Sequence, residues 1–238
     1  MIKFRLGFLL SLLPALPASA ISLTSGGYTT DFSAKPGTGD FSTRTVAGGS
    51  GDITTASQLD TRVQTLSSDS VNEALADAAG PPAAGASGQY SAELDLILTM
   101  PTGVRASVLM ATITNDTGAT LTDLTASYDL GRIGATGSEQ VDGQRVYWSV
   151  TGSLNGWTAA GDFFTPGPVS IPITFSVPAG ASFYLLWADD NGSGSPDDGF
   201  SIDNLSLTPN SAGVPEPSAG LLSMLCLGSL ALRRRRNR

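Results

Sequence analysis

Histidine is absent from all 238 residues, and cysteine occurs once, at Cys226. The first absence excludes a Ser-His-Asp triad, a histidine general base and a histidine-ligated zinc. The second leaves residues 21–212 with neither a thiol nucleophile nor a disulfide, because Cys226 sits in an apolar run near the C-terminus. Cations are scarce in the same stretch. Of 13 Lys and Arg, only Lys35, Arg44, Arg62, Arg105, Arg132 and Arg145 fall there, against 20 of the 21 acids, a net charge of −14. That sign argues against nucleic-acid binding, which needs a basic footprint. It fits solvation, cation binding or avoidance of anionic surfaces. Glutamate is rare too. Glu73, Glu93 and Glu139 are the only ones between the two ends, and none lies in a motif that would mark the paired carboxylates of a glycosidase or lyase. Catalysis is therefore not expected.

What is present begins at the two ends. In MIKFRLGFLLSLLPALPASA, Lys3 and Arg5 form a positive start, Leu6 to Leu16 an apolar stretch, and Ala18-Ser19-Ala20 a small-x-small cleavage site. Residues 1–20 are predicted to be a signal peptide, helical in its apolar part and cut after Ala20, so the chain is expected to be exported. At the other end no residue from Ser218 to Leu232 is charged, and Arg233, Arg234, Arg235 and Arg236 follow. A helix over 218–232 would rise about 22 Å, short of the ~30 Å hydrocarbon core but insertable if the arginines snorkel and the bilayer thins. The arginine block would stay on the cytoplasmic side. Pro215 and Pro217 keep that helix from extending upstream.

The motif Val214-Pro215-Glu216-Pro217, the short apolar run and Arg233 to Arg236, paired with a signal peptide, resemble the PEP-CTERM sorting architecture of Gram-negative bacteria. The resemblance implies a sorting signal over 213–238, processed by an exosortase-type membrane protease. It implies a precursor anchored in the inner membrane and a mature form at the cell surface or in the extracellular matrix, associated with exopolysaccharide and biofilm. Those tail residues would then be an address, not an active site. Three internal stretches, ATITNDTGATLTDLTASYDL (111–130), YWSVTGSLNGWT (147–158) and VPAGASFYLLWADDNGSGSPDDGFSIDNLSLT (177–208), also resemble a β-rich domain common among such cargo.

Residues 21–212 are long enough for one domain with its own core. In VSIPITFSV, Val169, Ile171, Ile173, Phe175 and Val177 alternate strictly with polar residues, and Pro172 marks an edge or a bulge. LTDLTASYDL puts Leu124, Ala126, Tyr128 and Leu130 on one face. AELDLILTM puts Leu94, Leu96 and Leu98 on one face, with Glu93 and Asp95 in solvent. RASVLMATIT is apolar on both faces and reads as a central strand. QRVYWSVTG, SFYLLWA and GFSIDNLSLT complete the set. Turns at Asn115 to Gly118, Asp142-Gly143, Asn155-Gly156 and Pro178 to Gly180 separate them. This is an all-β, β-sandwich or jelly-roll-like pattern. Leu59, Val63 and Leu66 have helical spacing, so one or two short helices are expected to decorate it.

Two candidate sites follow. ADDNGSGSPDDGFSIDN gathers Asp189, Asp190, Asn191, Asp197, Asp198 and Asp203 in a Gly-rich stretch whose oxygens could hold Ca²⁺, and the sequence suggests no other cofactor; Asp and Asn are equally ordinary turn residues. Among the aromatics, Trp148 and Trp187 read as core. Trp157, following Asn155-Gly156, is the candidate for an exposed sugar platform. The function expected is that of an exported, non-catalytic surface or matrix protein associated with exopolysaccharide, or alternatively a carbohydrate-binding module.

Overall fold

The computed structural model describes residues 20–47, 52–78, 85, 87–103, 105–134, 141–190 and 198–210. The sorting residues Val214 to Pro217 and Arg233 to Arg236, residue Ala18 of the cleavage site, and Asn191 and Asp197 lie outside them. Among the described residues no helix is long and apolar enough to cross a membrane.

In chain order the elements are β1 (Ile21–Leu23), β2 (Tyr28–Thr30), β3 (Phe41–Ala47), α1 (Ala56–Val63), a 3-10 turn (Ser68–Ser70), β4 (Ala76–Asp77), β5 (Gln89–Ser91), β6 (Leu96–Thr99), β7 (Arg105–Asn115), β8 (Leu121–Ile133), β9 (Gln144–Ser149), β10 (Thr158–Phe163), β11 (Gly167–Val177), β12 (Ser182–Asp190) and β13 (Gly199–Pro209). They form two sheets. The first runs β1-β7-β12-β9-β10, with β3 sharing β7's flank with β1; the second runs β11-β8-β13-β6-β5-β4, with β2 beside β13. The described residues form an all-β sandwich with one short α-helix.

Alternation along each strand builds the core between the sheets. Leu109, Ala111 and Ile113 of β7 and Phe183, Leu185 and Trp187 of β12 face Leu124, Ala126, Tyr128 and Leu130 of β8 and Val169, Ile171 and Ile173 of β11. The Tyr128 and Trp187 rings meet edge to face, 5.9 Å apart. Pro172 sits in β11, an outermost strand paired only with β8, where a missing N–H breaks no second ladder.

The first sheet is buried on its other face as well. Ala106, Val108 and Met110 of β7, Tyr147 of β9 and Leu186 and Ala188 of β12 pack under Ile53, Leu59, Val63, Leu66 and Val71. This second layer is why RASVLMATIT is apolar on both faces. Thr55 caps α1, its hydroxyl accepting from the Gln58 backbone N–H, and Leu59 and Val63 point down at helical spacing.

One strand expectation fails. AELDLILTM is not continuous, because residues 92–95 are the turn that joins β5 to β6 as an antiparallel hairpin. Asp95 adopts φ 51° and Leu94 is 46% exposed, while Leu98 is fully buried. Asp is among the few non-glycine residues at ease in that backbone region, and the turn carries Leu94 away from the face it was assigned.

Candidate functional site

The covering layer over the first sheet gives out partway along β7 and β12. In the paired rows Ala188↔Val108 and Leu186↔Met110 every outward side chain is buried, but in the next row, Tyr184↔Thr112, both are half-buried. There the 3-10 turn and the residues after it stand off the sheet, and an open groove of about 420 Å³ remains. Met110 and Val71 supply its apolar floor, the Tyr184 ring one wall, and Ser68, Asp69 and Asn72 its polar edge.

Rigid neighbours hold these groups. Tyr184 extends from a central strand, and its ring packs against that of Trp157 with centroids 6.4 Å apart at 64°. Its hydroxyl makes no hydrogen bond among the described residues. The 3-10 turn is pinned by the Ser68 N–H, which donates to the Gly152 carbonyl at 2.7 Å, and by the Ser70 hydroxyl, which donates to the Ser67 carbonyl. The Asn72 amide donates to the Asp69 carbonyl at 2.9 Å. Among the described residues, Asp69 supplies the one carboxylate that lines the groove. An aromatic ring beside hydroxyl, amide and carboxylate groups matches what a sugar presents: apolar C–H faces and a rim of hydroxyls.

Trp157 itself is not the platform. It is 5% exposed, its indole N–H donates to the Leu66 carbonyl at 2.9 Å, and its backbone carbonyl accepts from the Gln64 amide at 2.7 Å. Asn155, with φ 58°, turns the chain so that the indole closes over the core beneath α1 instead of opening to solvent. Trp187 is core, fully buried, and Trp148 is half-buried against Phe175. Tyr184 was missed by the sequence reading. The available signal was its place as the one polar-tipped residue at the start of the outward row Tyr184, Leu186, Ala188.

The acidic cluster is split by the strands that carry it. Asp189 and Asp190 close β12, and alternation sends Asp189 to the inner face with Trp187 and Asp190 to the outer face with Ala188. Asp198 precedes β13 at the same end of the sandwich, where it is fully buried and pairs with Arg132 of β8. Asp203 lies farther along β13, roughly 16 Å from Asp198 at strand rise. It is spent in a bulge, where the Asn204 N–H donates to its carboxylate at 2.6 Å and the Asn204 amide bridges to Asp129. Asp203 therefore cannot share a cation with Asp189, Asp190 and Asp198, and among the described residues no three potential ligands come together around one point.

A second, more polar groove of about 450 Å³ lies beside that bulge; Thr29, Thr30, Asp31, Asn204 and Leu205 line it, and none of these described residues is aromatic. Beneath the first sheet's cover lies a denser polar network. Arg145 grips both oxygens of Asp60 at 2.6 and 3.0 Å and also pairs with Asp162, while the Tyr147 hydroxyl donates to Asp60 at 2.7 Å. Burial pushes the Asp60 carboxyl up, but the hydrogen bonds from Arg145 and Tyr147 and the arginine's charge outweigh it and hold it below the usual carboxylate range. Burial and the neighbouring Asp60 push the Tyr147 hydroxyl up. This network fastens α1 to the sheet.

No family model matches the chain, and no curated protein does. Several solved structures overlap it weakly. One is TmCBM61 in complex with beta-1,4-galactotriose, at 8% identity and TM-score 0.32 over 48% of this chain and 70% of that one. Another is an apo form cyclase from Fischerella sp., at 13% identity and TM-score 0.35 over 86% and 94%. A third is the Clostridium thermocellum xylanase 10B CBM22-1-GH10 structure with xylohexaose, at 15% identity and TM-score 0.27, where the overlap spans 51% of this chain and 26% of that one. Scores this low carry no argument about activity.

Proposed function

We propose that this chain is an exported, non-catalytic protein that holds polysaccharide at the cell surface or in the extracellular matrix. Its bound sugar lies in the groove over Tyr184 and Thr112. The observation that carries the proposal is that groove: an aromatic wall, an apolar floor and a rim of hydroxyl, amide and carboxylate groups, all set on a central sheet. Among the described residues that line the groove Asp69 is the one carboxylate, where glycoside hydrolysis needs a pair of acids. Export through the residues before Ile21 and exosortase sorting through 213–238 belong to the same proposal and rest on the sequence motifs.

The test mixes the full chain with exopolysaccharide of the producing cells and measures co-sedimentation and new reducing ends. Binding without new ends is expected. Tyr184→Ala should weaken binding by about tenfold, and Tyr184→Phe, which keeps the ring, should retain most of it. New reducing ends would overturn the non-catalytic reading. Binding unchanged in Tyr184→Ala would remove the groove from it.

A further inference from the structure

The six cations between the chain's ends are not used alike. Lys35 pairs with Asp77, Arg132 with Asp198, and Arg145 with Asp60 and Asp162. Arg44 differs. It is half-buried in β3, and among the described residues its guanidinium meets only a neutral partner, the Ser70 carbonyl at 2.6 Å. A guanidinium held in place by one carbonyl keeps donors for a further acceptor in a fixed fork, which suits a carboxylate or a sulfate.

Arg44 lines a cleft of about 250 Å³ between β3 and the C-terminal end of α1, and Arg62 lines the same cleft. Thr45, Thr65 and Ser70 complete its polar lining, and among the described residues no acid lines it. In a stretch carrying 20 acids to six bases, two arginines line one cleft, and none of its described lining residues is an acid. The volume is below the usual range for a drug-sized ligand and suits one charged substituent.

The position of the cleft says what that substituent belongs to. The 3-10 turn separates cleft from groove: Ser68 and Asp69 line the groove, and Ser70 lines the cleft. On β3, Ser42 lines the groove and Arg44, two residues on, the cleft, a strand separation of roughly 7 Å. One polymer chain can therefore lie in the groove and place a side group between the arginines.

We infer that the cleft formed by Arg44 and Arg62 binds an anionic substituent, carboxylate or sulfate, of the polysaccharide held in the Tyr184 groove, so that the ligand is an acidic polysaccharide. This inference rests on the groove reading above. The surrounding net charge of −14 repels polyanions generally, so such a ligand is retained only where it reaches this cleft.

Polygalacturonate and its fully methyl-esterified form share one backbone and differ only in charge. The full chain, at physiological ionic strength, should bind the acid polymer about tenfold more tightly than the ester. Arg44→Gln with Arg62→Gln should remove that preference and leave ester binding as it was, and Arg44→Lys should keep part of it. Thermal melts of each variant separate lost binding from lost folding. Equal affinity for acid and ester, unmoved by the arginine substitutions, would overturn the cleft and leave the groove standing. Binding of neither polymer would count against the groove, and inorganic sulfate then reads the cleft alone: sulfate protection against melting that Arg44→Gln abolishes supports an anion site, and no protection overturns it.

Discussion

Gly152 stands where a β-carbon would lie 2.7 Å from the Tyr184 ring and 2.5 Å from the Ser68 hydroxyl. The glycine, at φ 60°, lets the β9–β10 connection press against the aromatic wall and the 3-10 turn at once. Gly152→Ala should therefore displace both, with a backbone cost of about 1–2 kcal/mol as well. Polysaccharide co-sedimentation should fall. Gly118→Ala is the control: its φ is 82° but nothing lies within 4 Å of an added β-carbon, so it should strain the backbone alike and leave binding intact. Equal loss of binding in both would refute the positioning role.

The Asp60 network makes stability depend on acid. The Asp60 carboxyl titrates lower in the folded chain than in the unfolded one. Its contribution is thus fully present above the unfolded value of about 3.9 and is lost as pH falls through the lower folded value. Asp60→Asn should lower stability near neutral pH by about 1–2 kcal/mol, a figure discounted for the carboxylate's partial exposure, and should flatten the acid limb of a melting profile. A limb as steep as that of the unsubstituted chain would show that other carboxylates govern it.

Asp198 and Arg132 should respond unequally to substitution. Asp198 is fully buried and the Arg132 side chain is 39% exposed. Arg132→Met leaves a buried carboxylate without its cation and should cost about 3 kcal/mol, whereas Asp198→Asn leaves a guanidinium that water can reach and should cost about 1 kcal/mol. Denaturant unfolding of the two variants measures the difference, and the reverse order would contradict the burial argument.

Ile21 and Leu23 are 2% and 0% exposed, and β1 pairs in parallel with Ile113 to Asn115 of β7. Cleavage after Ala20 would leave this strand whole. A chain beginning at Thr24 should be less stable than one beginning at Ile21 by about 3–6 kcal/mol, the burial of two aliphatic side chains. Identical melting temperatures would mean that β1 adds nothing to the core.

Much of the sandwich was legible because strand alternation is a local property. Val169, Ile171 and Ile173 face inward, and Leu59 and Val63 land under α1, as their spacing requires. Pro172 found an edge because proline cannot serve two ladders. The site was less legible. Trp157 and Tyr184 are both aromatics near turns, and which one reaches solvent depends on where the segment over residues 52–72 stops covering the sheet. That boundary is set by contacts between residues far apart in the chain.

Composition by itself removed histidine chemistry, left residues 21–212 without a thiol and set their acidic charge, since no fold can supply a side chain the sequence lacks. The pattern of polar and apolar residues settled an all-β architecture, because period two admits few alternatives. Tertiary structure decided the rest. It sent Asp189 and Asp190 to opposite faces, tied Asp203 into a bulge far from Asp198, buried Trp157, opened the groove at Tyr184, and set Arg44 and Arg62 at one cleft across the 3-10 turn from that groove. Each of these is a question of which distant surfaces meet, and only packing answers it.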